Sequence, residues 1–251
     1  ISILTLVTRE GYVYQIDTRL RPSGNQGPLV TSLAAFERYH QQSAQLWERQ
    51  ALTKARVVAG PDPLASRIAH LIDEIVYHRP LPPGLREEIY RLRARMETEV
   101  ARENAEHFNI KTGRGGLVDV EFVAQYLQLH HGGEKPALRS SNTLRTLSAL
   151  HEAGVLEAAD YCVLDGGYRF LRRLENKLRL VHDQSINQLA GDRTYLIKLA
   201  RRLGYPERPK RPDEAFLEDY RSITEKIRTV FDRLVGPTEK SAEGSEVAGG
   251  E

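Results

Sequence analysis

The sequence predicts a mainly α protein with a short strand-forming segment at its start. Three observations carry this. Residues rich in strand formers are confined to positions 2–17. After Ser32, apolar side chains recur three and four positions apart, the spacing of one face of a helix. Glycine and proline then cut the helical pattern into pieces of ordinary length.

The first piece holds "SILTLVT" (2–8) and "YVYQID" (12–17), joined by "REG", a hairpin turn signal. Two strands do not make an independent sheet. The rest of that sheet is therefore expected upstream of Ile1, and the chain is expected to be a piece of a longer protein. "SLAAFERYHQQSAQLWERQALTKARVV" reads as one helix capped by Ser32, with Leu33, Phe36, Tyr39, Ser43, Leu46, Trp47 and Ala51 at helical spacing. Asp62 is the expected N-cap of "PLASRIAHLIDEIVYH". After the loop "RPLPPG", residues 83–104 read as one charged amphipathic helix with Leu85, Ile89, Leu92, Met96 and Val100 as its stripe. "KTGRGG" interrupts before "LVDVEFVAQYLQLHH", whose final histidines sit where a helix end favours imidazolium. Further helices are predicted near 141–153, 156–183, 192–203 and 213–235. On the second of these, Tyr168, Leu171, Leu174, Leu178 and Val181 form the stripe, and Arg172, Arg173, Glu175, Lys177 and Arg179 a mostly solvated face. The expected divisions are 1–60, 61–235 and a disordered tail, 236–251, almost devoid of large apolar residues.

Composition narrows the function. Charged residues make up 28% of the chain, yet the net charge is +2. A phosphate backbone calls for a clear basic excess, so nucleic acid is not an expected partner. No apolar run approaches the ~20 residues that span a bilayer, and no membrane association is expected. The single cysteine, Cys162, excludes an internal disulfide framework and fits a reducing, cytoplasmic compartment.

Two stretches carry candidate chemistry. In "YVYQIDTRLRPSGNQG" (12–27), an extended chain places Asp17, Arg19 and Arg21 on one face. A carboxylate beside guanidiniums suits a divalent cation with a polyphosphate, the combination nucleotidyl transfer needs. The competing reading is an exposed Asp17–Arg19 pair of small energetic worth, since hard-cation sites use two or more carboxylates. In "RPSGNQG", Ser23, Gly24 and Asn25 either offer donors to phosphate or simply make a turn. In "NIKTGRGGLVDVEFVAQ" (109–125), glycines 113, 115 and 116 precede a helix, with Lys111 and Arg114 beside them. One reading is an anion site at a helix N-terminus, with Glu121 and Gln125 lining a cleft with Lys111. The other is a packing turn, with Asp119 and Glu121 as first-turn acids.

Taken together, "YQIDTRLRPSGNQGPLVTSLAAFERYHQQSAQLWERQALTKARVVAG" and "NIKTGRGGLVDVEFVAQYLQL" resemble the glutamine synthetase adenylyltransferases, bifunctional adenylyl-transferring and adenylyl-removing enzymes of bacterial nitrogen control. The resemblance covers residues 1–235. It implies the C-terminal hairpin edge of a polymerase-β-type nucleotidyltransferase domain, followed by a helical bundle shared with PII uridylyltransferases. It implies ATP as substrate, Mg²⁺ as cofactor, and glutamine synthetase and PII protein as partners. Asp17 matches the third catalytic, metal-binding carboxylate. Arg19, Arg21 and Ser23, with Lys111 and Glu121, are the residues expected at the nucleotide or its phosphates. The departure is that no Gly-Ser motif or Asp-x-Asp pair precedes Asp17, so the fragment alone is expected to be inactive. The C-terminal, adenylylating half is favoured. Two alternatives are a helical module that only binds glutamine synthetase or PII, and a PII uridylyltransferase-like protein.

Overall fold

The computed structural model describes residues 5–7, 9, 11, 16–101, 103, 107–182, 188–189, 192–207 and 209–237. It is mainly helical, as the sequence predicts. The chain divides into two compact units, Ile1–Arg79 and Pro80–Glu251. The expected strand pair over 2–8 and 12–17 falls largely outside the described residues, as does the expected disordered tail from 238 onward.

In the first unit, α1 spans Leu33–Gln42, and Ser32 caps it by accepting a hydrogen bond from the Ala35 amide at 3.3 Å. The single long helix expected from Ser32 is in fact two. The chain leaves helical geometry at Ser43 (φ −129°), and α2 restarts over Leu46–Leu52. Glu48 causes the restart. Its carboxylate accepts from the Gln45 amide at 3.0 Å, and Gln45 answers in a capping box that begins a new helix. α3, Asp62–Asp73, starts one residue earlier than expected, because Pro61 rather than Asp62 takes the cap position. It runs on as a wider π turn over Glu74–His78. Polar side chains on backbone carbonyls hold the unit together. Arg49 donates to Val76 O (2.9 Å) and Arg79 O (2.7 Å), and Arg79 donates to His40 O (2.6 Å).

The second unit begins with α4, Leu85–Arg95, continued by a π turn over Met96–Ala101. This corrects the expected stripe. Leu85 and Ile89 are buried, but Val100 is 57% exposed and Ala101 faces inward instead. Arg93 is fully buried, between Ile89 and Ala101. Next come β1 (Phe108–Asn109), α5 (Leu117–His131), α6 (Thr143–Glu152), α7 (Ala158–His182), β2 (Gln188–Leu189), α8 (Arg193–Leu203) and α9 (Pro212–Val235). β1 and β2 pair antiparallel, Phe108 opposite Leu189 and Asn109 opposite Gln188. α5 is buried on nearly every side, as befits a central helix. α9 packs against α4, α5, α7 and α8. Gly167 permits the α7–α9 approach, since a Cβ there would lie 2.7 Å from the Ile227 Cδ1.

Two charge expectations change. Glu175 is buried rather than solvated, because Arg172 and Arg179 both donate to it at 2.7 Å. His130 does end α5, but burial and the neighbouring His131 lower its pKa, so the imidazolium is not favoured there. Among the described residues, no helix is long and apolar enough to cross a membrane.

Candidate functional site

The segment 17–27 in the first unit is a turn, not a strand end, from Arg19 onward. The one-face alignment of Asp17, Arg19 and Arg21 therefore does not form. Arg19 folds back onto Asp17: its amide donates to Oδ1 at 2.9 Å, Nε lies 3.0 Å from both carboxylate oxygens, and one terminal nitrogen reaches Oδ2 at 2.6 Å. Both side chains are exposed, 75% for Arg19 and 53% for Asp17. This is an ion pair with little stability to contribute.

Arg21 turns to the backbone instead. It donates to Thr18 O at 2.6 Å and to Gly27 O at 3.3 Å, bracing the loop across its mouth. Ser23, at the loop's tip, has φ 60° and ψ 15°. It is the one described non-glycine residue with positive φ, in a region that L-residues other than Asn and Asp rarely visit. Gly24 follows at φ 53°. On α1, burial raises the pKa of the Tyr39 phenol. The phenol reaches the Glu48 carboxylate on α2, at 2.8 and 3.0 Å from its two oxygens.

The residues fit a cation only in part. Asp17 offers one hard oxygen ligand. Among the described residues, no three His, Cys, Asp or Glu side chains gather as a metal site would require. A complete Mg²⁺ site does not form from these residues.

The turn at 111–116 in the second unit is built differently. Each backbone N–H from Lys111 through Asp119 has an acceptor within the chain. Lys111 and Thr112 donate to Asn109 Oδ1, Gly113 to Asn109 O, Arg114 to Glu103, and Gly115 to Asp119 Oδ2. Gly116, Leu117, Val118 and Asp119 donate to Gly113, Ile110, Lys111 and Gly116 carbonyls. An anion site at a helix N-terminus needs amides that point at the ligand, and these are already used. Gly115 (φ 69°) lies against the backbone of Thr224 on α9, where any Cβ would collide. The glycines serve close packing. Lys111 is exposed. The Glu121 carboxylate is taken by the Tyr168 hydroxyl (2.8 Å) and Arg172 (2.9 Å).

Under the turn lies an ionic cluster that periodicity did not reveal. Arg93 and Asp119 are both fully buried and paired, and Arg93 also donates to Gly113 O at 2.7 Å. Arg228 of α9 donates to Glu97 (2.6 Å) and Asp232 (2.8 Å) and lies 3.9 Å from Asp119 Oδ2. Burial raises the Asp119 pKa, and the two guanidiniums oppose the rise. A signal did exist. Arg93 follows Ile89 by four residues and precedes Glu97 by four, so a charged residue continues the inward stripe.

Comparison with known families divides the chain much as its geometry does. Residues 1–70, which include Asp17, Arg19, Arg21 and Ser23, match the family model of the glutamate-ammonia ligase adenylyltransferase. Residues 90–235, more than half of the chain, match that of the GlnD PII-uridylyltransferase. The chain belongs to the GlnD PII-uridylyltransferase family over its helical unit and carries, ahead of it, the matching region of a glutamate-ammonia ligase adenylyltransferase.

Proposed function

We propose that this chain is part of an enzyme that transfers AMP from ATP to a tyrosine hydroxyl of glutamine synthetase, and/or that removes it by phosphorolysis, inorganic phosphate attacking the adenylyl phosphorus so that ADP leaves and the tyrosine hydroxyl is restored. The observation that carries the proposal is the match of residues 1–70, with the Asp17–Ser23 segment inside it, to the adenylyltransferase family. In the forward step the tyrosine oxygen attacks the α-phosphorus of ATP. An O–P bond forms, the bond to the β-phosphate oxygen breaks, and pyrophosphate leaves. Arg19 is exposed beside Asp17 and suits the phosphates. Arg21 uses part of its five-donor fork on carbonyls and holds the Ser23 tip in place. Asp17 orients the attacking hydroxyl or supplies one carboxylate to the Mg²⁺ that accompanies ATP. One Asp supplies one carboxylate, so in this reading the remaining metal carboxylates are not among residues 17–27. Lys111 and Glu121 belong to the helical unit's packing in this reading.

The test is labelled ATP with unmodified glutamine synthetase. The chain alone should label nothing. Joined to a segment carrying the missing motifs, it should label robustly, and Asp17→Asn should lower that rate by ~10²-fold or more. Near-normal turnover in Asp17→Asn ends the role given to Asp17. A second reading is favoured by the match of residues 90–235 to the PII-uridylyltransferase family: UMP transfer from UTP to PII protein. Labelling of PII by the joined protein with UTP, and none of glutamine synthetase with ATP, would select it.

A further inference from the structure

We infer that Arg21 and Gly27 form a clasp that positions the Ser23–Gln26 tip for the phosphates of a nucleoside triphosphate, which makes Arg21 a positioning residue rather than a phosphate ligand. The inference rests on the proposed nucleotide site at this loop. Ser23 stands in a left-handed conformation that a non-glycine residue keeps only where its surroundings over-determine it. Residues 18–27 supply such surroundings from within. The Gly24 amide donates to Arg21 O (2.8 Å), the Gln26 amide to Ser23 O (3.1 Å) and the Gly27 amide to Gly24 O (3.2 Å). These bonds wind the tip, but they do not join the two ends of the loop.

Arg21 joins them. Its Nη1 donates to Thr18 O at 2.6 Å, while its Nε and Nη2 converge on Gly27 O at 3.4 and 3.3 Å. One half-buried guanidinium thus spans the start and the end of the loop. Three of its five N–H groups are spent on carbonyls. Lysine could not stand in for it, because an ammonium is a point charge without a planar fork.

Gly27 is the other half of the clasp. Its φ of −85° and ψ of 163° are extended angles open to any residue, so conformation does not call for glycine there. Space does: a Cβ at this position would lie 2.1 Å from Pro22 O. Only a bare α-carbon lets residue 27 come up against Pro22 and bring its own carbonyl to the Arg21 fork. The clasp leaves Ser23, Asn25 and Arg19 exposed. A tip held before binding meets phosphate oxygens with little ordering cost.

The experiment uses the full chain, with ATP as probe and Arg21→Lys, Gly27→Ala and the double variant beside the parent. Arg21→Lys keeps the positive charge, so attraction to phosphate survives it and a clasp does not. The Gly24 and Asn25 amides should show NMR order parameters near ~0.85 in the parent and below about 0.6 in either single variant. ATP affinity should fall ~10-fold in each, with helical circular dichroism unchanged. The double variant should be no looser and bind no more weakly than the singles, since both open one clasp. Order parameters that stay at the parent's value in Arg21→Lys overturn the clasp, whatever the ATP affinity, and so do losses that multiply in the double variant. Loosening without any loss of ATP affinity overturns the positioning role. Failure of the parent to bind ATP overturns the nucleotide site itself, and the order parameters then still decide whether Arg21 and Gly27 hold the loop.

Discussion

The two units are stabilised by different physics. Among the described residues, the first buries only Leu71, Ile75 and Val76 as apolar core, and it exposes Leu20, Leu29, Val30, Trp47, Val58 and Leu64. Its cohesion comes from Arg49, Arg79, Tyr39 and Glu48 reaching backbone carbonyls and one another. Such bonds contribute about 1 kcal/mol each, net of water. Among its described residues, the second unit buries apolar side chains from α4 to α9 and leaves only Val100 and Leu180 as large exposed ones. It then places a charged cluster inside that core. Polar ties hold geometry locally without much cooperative stability. An apolar core gives stability, and makes any unbalanced charge within it expensive.

The largest effect that could break this contrast is at the buried cluster. Asp119→Ala leaves Arg93 and Arg228 short of a counter-charge in a dry site. It should cost the second unit about 3–5 kcal/mol in urea unfolding. A loss below 1 kcal/mol would mean the cluster is wetter than its burial implies. Gly115→Ala forces both positive φ and a collision with Thr224. It should cost roughly 2–4 kcal/mol by the same measurement, without altering ATP affinity. In the unaltered chain, amides of α1 and α2 should lose exchange protection at lower urea than those of α5 and α9, because less apolar surface holds them. Simultaneous loss would show that the units unfold as one.

A smaller effect distinguishes them by pH. Burial lowers the His40 pKa, Arg79 adds to the lowering, and Glu48 opposes it. The folded value then lies below the unfolded one, so protonation favours unfolding. The contribution is full above about pH 6.5 and is lost as pH falls through that value toward the folded pKa. His40→Gln should flatten this acid limb for the first unit, read as the pH dependence of its urea midpoint. Least of all, Asp17→Asn should change thermal stability by under about 0.5 kcal/mol, since its partner is an exposed Arg19.

Much of the fold was legible. The helices from 117 onward fall within two or three residues of their expected limits, because most of them are bracketed by Gly, Pro or a capping side chain such as Asn142 or Asp192. The helix break at Ser43 was not, since apolar spacing continues across it and only Glu48's reach back to Gln45 decides it. The pairing of β1 with β2 joins dipeptides about 80 residues apart, beyond any local signal. At the candidate site, residue types suggested phosphate chemistry at 17–23. Spacing could not foresee that Arg19 would fold onto Asp17, or that Tyr39 would reach Glu48. At 111–116, glycine and basic residues suggested an anion site. Which amides were already spoken for is a three-dimensional fact.

The π turn at Met96–Ala101 acts as a frameshift written in three dimensions. A four-residue step overshoots one α-helical turn by about 40°, so Ile89, Arg93, Glu97 and Ala101 would spiral off a common face in a regular helix. The wider turn absorbs the excess and keeps Glu97 within 2.6 Å of Arg228 and 3.5 Å of Arg93. Excising one residue from this stretch would restore a regular helix. It would also rotate Glu97 away from both guanidiniums and turn Val100 inward. A single deletion here thus rewrites the meaning of every position between Met96 and Ala101, and a chain-length variant, more than any point substitution, would reveal how tightly that local grammar is enforced.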